Sequence, residues 1–560
     1  MAYVVGISSG AFGVAATEER PQLLGLFKKA QYSVTQGVRF VQIDLESVSE
    51  FEEPGLEEKM KKDVIEKLGI SFGIHSETKA FGVEAAELDS AIREEYERAH
   101  RRFIEILEKS IKIGSKYLLF HSSESDPFTL LALRTQPADI VDFYGRPFSE
   151  FLKENEWLLD WIMGEGEWKD KEGGQFIWVE ILHRTLKNYL ALIMEEKKER
   201  YIMEEKKEPS EEWLEEVIKR ERKSLREYFV DLVSSRALHY GPERWAYYLI
   251  AKWMEKNKEK EPLWEKIVRT NIEFFAKRDG MSLEEWAEKN KINLQNLSID
   301  DKFFREHTEL WVPAVSAKYI WGHLNPIDPK FKDPKKYIEN SGIVLVLESP
   351  MGGRGIEEWL RFYNPAHIYH LAEIVGKKYI QIALDLEHML SLRLDPEIVI
   401  DLFPKNGGEY VKVIHAGWPS TLAPAHVPIP LGSEQQQYLY KIYYKLREKG
   451  FGLDPKEDVY IIFERGPFPI QQTIVALKKI VEFLEKNIKP EDLIKYPEFF
   501  GIEMKEIASF ERQKAIISEH FFDPLKDLLA VPEEKWSFLG KEAMGKPGVT
   551  GEKWEKEELK

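Results

Sequence analysis

The sequence predicts an α/β protein built on a (β/α)8 TIM barrel, with a large all-helical insertion between the fourth and fifth strands. Three observations carry that prediction. Eight short runs rich in Val, Ile, Leu and Tyr recur along the chain, and their near-continuous apolar character suits strands buried on both faces of a parallel sheet. Helical patterns separate most of them, which is the rhythm of repeated βα units. One long stretch breaks that rhythm: between the fourth and fifth runs no buried strand can be read, only charged helical patterns.

In order, the runs are 2–8 (AYVVGIS), 38–46 (VRFVQIDLE), 70–76 (ISFGIHS), 116–122 (KYLLFHS), 343–349 (IVLVLES), 379–387 (YIQIALDLE), 410–416 (YVKVIHA) and 458–464 (DVYIIFE). Ahead of the fourth, Ile92, Tyr96, Ala99, Phe103 and Ile106 recur at three- and four-residue steps, and Gly114 ends the pattern; this is an amphipathic helix with a glycine stop. An open doubly wound sheet is the competing architecture, but the turn after its first strand would carry a Gly-rich phosphate fingerprint. Here that turn reads SSGAFG.

The exceptional stretch contains 11 of the 15 Trp, from Trp157 to Trp321. A structureless connection of that length does not fit a compact domain, so the segment reads as an inserted helical domain with its Trp residues as core. The hexapeptide MEEKKE, at 194 and again at 203, reads as a solvated helix face or hinge. The expected organisation is residues 1–124 and 341–490 as the two parts of the barrel, 125–340 as the insertion, and 491–560 as C-terminal helices and a charged tail.

Composition excludes several classes. The 560-residue chain has 80 Lys+Arg against 97 Asp+Glu, a net charge of −17, which argues against coating nucleic acid through bulk charge but not against a locally basic groove. With no cysteine, thiolate metal sites, disulfides and Cys nucleophiles are out. No apolar run of 18 residues exists, so no membrane span is expected. The apolar start lacks a basic leader and reads as the first strand, not a secretory signal. Absent cysteine and dense Glu/Lys pairing fit a cytoplasmic protein from a hot environment.

The chemistry lies at the strand ends, which face the active site in such a barrel. The third predicted strand ends at His75, the fourth at His121, the fifth at Glu348, the sixth at Asp385 with His388 just beyond, the seventh at His415 with His426 in the loop after it, and the eighth at Glu464. The second ends at Asp44 and Glu46, where a ligand role for Asp44 competes with a turn or cap role. Carboxylates crowded together call for a divalent cation. Mixed imidazole and carboxylate suit Zn²⁺, Mn²⁺ or Fe²⁺, and a central carboxylate such as Glu348 can bridge two ions about 3.5–4 Å apart. His100, His183 and His239 fall in helical stretches and read as structural.

The order His75, His121, Glu348, Asp385-x-x-His388, His415, His426, Glu464 resembles the xylose isomerase-like barrel superfamily, and within it the endonuclease IV branch of metal-dependent apurinic-site nucleases. The resemblance spans about residues 1–122 and 342–490 and implies a di- or trinuclear, zinc-type centre. In it His75, His121 and Glu348 hold one ion, and Glu348 bridges to a second held by Asp385, His415 and Glu464. His388 and His426 belong to a third, where Pro424 stands in place of the family's Asp. The implied activity is phosphodiester cleavage in nucleic acid. Beside it, Arg354 of the MGGRG turn and Lys79 beyond His75 are candidates to approach the phosphates, with a plain glycine turn as the competing reading of MGGRG. The sister branch, sugar isomerases and epimerases, implies instead one ion on Glu348, Asp385, His415 and Glu464, with Glu348 and Glu464 as catalytic acid–base groups moving a proton on a small sugar. In a third reading, the insertion covers the site or binds a partner and the barrel is not catalytic.

Overall fold

The computed structural model describes residues 3–12, 25–34, 36–77, 85–123, 137–158, 161, 177–221, 242–350, 361–418, 427–464 and 470–502. Eight strands close into one parallel barrel: β1 (Tyr3–Ser8), β2 (Phe40–Asp44), β3 (Ser71–His75), β4 (Tyr117–His121), β5 (Val344–Glu348), β6 (Ile380–Asp385), β7 (Val411–His415) and β8 (Val459–Phe463). Each pairs with the next, and β8 pairs back onto β1. The eight predicted runs all form strands, one or two residues shorter at most ends. At β6 the reason is visible: the Asp385 side chain accepts from His388 N at 2.8 Å and caps the helix Leu386–Ser391, so the backbone leaves the ladder two residues early.

Inside the barrel, side chains alternate with period two. The interior cluster holds Tyr117 and Leu119 of β4, Val344 and Val346 of β5, Ala383 of β6, Val413 of β7, and Tyr460 and Ile462 of β8. Continuing each series by two residues reaches His121, Glu348, Asp385, His415 and Glu464. The same apolar layers that fill the barrel therefore deliver those polar side chains to its C-terminal mouth. On β3 the series runs through Gly73, where an added Cβ would lie 2.2 Å from Cζ of Tyr117. Glycine there makes room for the tyrosine ring, and His75 follows two residues on.

The helix before β4 runs Arg93–Ile113, buries Tyr96, Ala99, Phe103 and Ile106, and stops at Gly114 with φ 88°, as the spacing predicts. Between β4 and β5 the described elements are helical, apart from two isolated bridges. Helix Pro262–Arg278 lies against helix Pro365–Val375, which follows β5, through a polar seam: Asn271 Oδ1 is 2.8 Å from His367 Nε2, and Thr270 Oγ1 is 2.7 Å from His370 Nε2. Helix Val312–Leu324 is buried on nearly every side. Its Lys318 ammonium is paired with Glu261 at 2.8 Å and sits 3.6 Å from the centre of the Trp321 ring. Trp264 and Trp311 are fully buried, and their indole N–H groups donate to the carbonyls of Leu297 and Phe304. His100, expected to be structural, is buried with its Nδ1 3.1 Å from His323 Nδ1 and its Nε2 2.9 Å from the Lys332 carbonyl.

By compactness the chain divides into residues 1–429 with 445–478, which hold the barrel and the helical segment, and 430–444 with 479–560. Within the second, the rings of Tyr440, Phe483 and Phe499 pack edge to face, and the Tyr440 hydroxyl donates to the Phe483 carbonyl at 3.1 Å. Among the described residues no helix is long and apolar enough to cross a membrane.

Candidate metal centre

Two sets of ligand-type side chains meet at the mouth of the barrel. His75, His121 and Glu348 form one; Glu348, Asp385, His415 and Glu464 form the other. Within each set the ligand atoms all lie within 4.8 Å of one another. Strand register makes this possible, since His121 pairs with Glu348 and Asp385 with His415 as direct neighbours. All but His121 are buried, and His121 is nearly so.

Glu348 stands between the sets, one oxygen toward each. Its Oε2 is 3.3 Å from His75 Nε2 and 3.7 Å from His121 Nε2. Its Oε1 is 2.7 Å from His415 Nδ1. That same nitrogen is 3.1 Å from Glu464 Oε2 and 3.4 Å from Asp385 Oδ2, so three carboxylates converge on one imidazole nitrogen. The proton inventory does not balance. Glu348 Oε2 and Asp385 Oδ2 are buried without a hydrogen bond, a costly state for carboxylate oxygens. An imidazolium proton can satisfy one acceptor of the group; a divalent cation can serve all of them. The donor set and the orphaned oxygens thus fit a metal ion, and the group can hold one.

Electrostatics express the same imbalance. Burial opposes a charge on His75, but its contact with Glu348 and the nearby Asp44 carboxylate outweigh that and lift its pKa to about 9. Burial likewise opposes a charge on His415, and Glu348 and Glu464 override it, raising its pKa well above the ordinary value. Burial pushes Glu348 upward, yet His415 and His75 hold it well below the usual carboxylate range. His121 goes the other way: burial takes it down to about 3 against the pull of Glu348, with His75 and His388 adding repulsion. It is therefore a neutral imidazole, the form that ligates metal.

His388 stands beside the two sets. Its Nδ1 is 2.9 Å from the Ser349 carbonyl and 3.5 Å from Glu348 Oε1, and its Nε2 is 3.7 Å from Asp385 Oδ2. Asp44 is engaged elsewhere: its Oδ2 accepts from Ser8 Oγ at 3.0 Å and Gly10 N at 2.7 Å, so it ties the end of β1 to β2. Glu46 is partly exposed beside Lys29. His426, Arg354 and Lys79 lie outside the described residues.

Gln42 and Tyr117 also belong to the site, although neither stands at the C-terminal end of a strand. Gln42 is fully buried in β2; its Oε1 lies 2.9 Å from His415 Nε2 and accepts from the Tyr117 hydroxyl at 2.9 Å. With Nε2–H donated to Gln42, the imidazole turns Nδ1 toward the carboxylates, an outer contact of the kind that orients metal-binding histidines. The signal was present: a glutamine inside an otherwise apolar strand run.

Neither a family model nor a curated protein matches the chain. A solved structure described as that of L-ribulose 3-epimerase aligns with it at 9% identity and a TM-score of 0.31, covering 95% of this chain and 99% of that one. The barrel assignment rests on the closed strand order of this chain itself.

Proposed function

We propose that this protein is a divalent-metal enzyme of the xylose isomerase-like kind that moves a proton on a small sugar, as an isomerase or epimerase. The observation that carries the reading is the convergence of Glu348, Asp385 and Glu464 on His415 in a buried mouth. Glu348, Asp385, His415 and Glu464 are the residues that would hold the ion. When bound, the ion would polarise a carbonyl and its neighbouring hydroxyl, acidifying the carbon-bound hydrogen between them. Glu348 and Glu464 would be the acid–base pair that takes that hydrogen as a proton and delivers it, to the adjacent carbon in an isomerase or to the opposite face in an epimerase. Gln42 holds His415 in the orientation this needs. A closed cluster in a chain of net charge −17 suits a small uncharged substrate better than a polyanion.

The test is solvent-proton exchange. Ketopentoses and ketohexoses incubated with Mn²⁺-loaded protein in D₂O should gain deuterium at the carbon beside the carbonyl, and Glu464→Gln should abolish the gain. Absence of exchange from every ketose, with metal bound, overturns the reading.

One observation favours a second reading. His75 and His121 sit on the free oxygen of Glu348, a place a one-ion isomerase leaves unused and a two-ion phosphodiester hydrolase fills. Under that reading the protein takes up two ions, cleaves duplex DNA at abasic sites, and loses cleavage on His121→Ala.

A further inference from the structure

Apart from the metal cluster, and sharing no residue with it, a cavity of ≈ 450 Å³ opens between the helical segment and the turn that follows helix Leu386–Ser391. Its apolar floor is Leu310, Leu392 and Leu394. Its wall is aromatic. Trp286 lies 6.1 Å from Phe275 with planes 14° apart and meets Phe303 edge-on at 5.7 Å; Phe303 lies 4.1 Å from His307. The indole is fixed, because Trp286 Nε1 donates to Asp279 Oδ2 at 3.0 Å. The Arg278 guanidinium also lies 4.7 Å from the centre of the Phe275 ring, and a wall this rigid meets a flat ligand at little cost in side-chain freedom.

The lip carries charge of one predominant sign. Arg278, Lys289 and Arg393 line it. Of the two acids present, Asp279 is engaged by Trp286 and by Arg278 Nε at 3.3 Å, and Glu309 by His307 at 2.9 Å. Among the described residues the side chain of Arg393 has no hydrogen-bond or ion-pair partner, and Lys289 acts on Asp279 through its charge without a hydrogen bond. Asn290 donates its amide to the Trp286 carbonyl at 2.8 Å, which leaves its Oδ1 as an acceptor for an amino edge. The volume falls in the range of sites that enclose a whole small molecule, more than a single ring with one carboxylate fills.

We infer that this cavity binds a purine mononucleotide, with the base against Trp286 and Phe303 and the phosphate among Arg278, Lys289 and Arg393. The geometry stands apart from the proposed sugar chemistry, so either can fail alone.

The experiment is calorimetric titration of the full chain with AMP in EDTA, which prevents phosphate from binding through metal. AMP should bind one to one, with adenosine and inorganic phosphate each at least tenfold weaker. Trp286→Leu should weaken AMP at least tenfold. Arg393→Gly should do the same while folding normally, because Arg393 has φ 56° and glycine accepts that backbone freely. Metal content after reloading should match the parent in both variants. No AMP binding at millimolar concentration overturns the assignment. So does binding that survives both substitutions, or binding that His415→Ala removes instead.

Discussion

The barrel mouth and the helical segment both bury charged groups, and they manage them differently. In the helical segment Lys318 is matched one to one, its ammonium held by Glu261 and by the face of Trp321. His100 and His323 share one contact between neutral rings. At the mouth, Glu348, Asp385 and Glu464 surround a single imidazole nitrogen, and oxygens of the first two are left without hydrogen bonds. A fold that satisfies its buried charges in one region and leaves a surplus of one sign in another marks the second as a place for a partner ion. The mouth's surplus is negative.

The sharpest way to break that contrast is Glu348→Ala. If Glu348 is the shared ligand, metal affinity should fall at least about a thousandfold by chelator competition, and the chelated protein should also lose stability, because Glu348 is the buried counter-charge of His75 and His415. The mirror experiment is Lys318→Ala. It should cost about 4 kcal/mol in denaturant unfolding, since it removes a matched buried cation together with its ring contacts, and leave metal content unchanged.

Acid separates the regions again. Burial depresses His100 to about 4 and His323 well below the ordinary value. An unfolded histidine titrates near 6.5, so this contribution is complete above about pH 6.5 and is lost as pH falls toward 4, on the order of 3 kcal/mol for His100. The mouth behaves oppositely toward metal: His75 has its pKa raised to about 9, so protons compete with the ion and metal affinity climbs with pH up to that value. Unfolding curves in EDTA at pH 4 and 7, with and without His100→Phe/His323→Phe, check the first. Proton release on metal binding checks the second.

The smallest expected effect is Gln42→Leu, about tenfold in metal affinity, because it loosens His415 without removing a ligand. An effect below twofold would mean that the carboxylates alone orient the imidazole.

These contrasts also explain what could be read from the sequence. The barrel and its mouth were legible because both follow from one local rule. Inward positions recur at every second residue of each apolar run, and the last of them, His121 after Tyr117 and Leu119 or Glu464 after Tyr460 and Ile462, is charged or ligand-type where the earlier ones are not. Gln42 broke the same rule in mid-strand, where a lone polar residue has no meaning until His415, 373 positions away, is placed beside it. The helical segment offered less. Val312–Leu324 is buried on nearly every side although it carries Ser316, Lys318 and His323, and its sequence names no partner for any of them. His100 falls on the apolar face of its helix, four residues after Tyr96, but nothing in the sequence joins it to His323, 223 positions away. Asp44 looked like a strand-end ligand by position, and only the loop at Ser8 and Gly10 shows what its carboxylate is bonded to.

The surplus charge at the mouth should hold a divalent cation. Crystals soaked in Mn²⁺ or Zn²⁺ and measured at the metal's absorption edge test it directly. An anomalous peak within about 2.0–2.3 Å of Glu348, Asp385, His415 and Glu464 is the expected result. A map with no peak among those four side chains, at metal concentrations that saturate the protein, contradicts it.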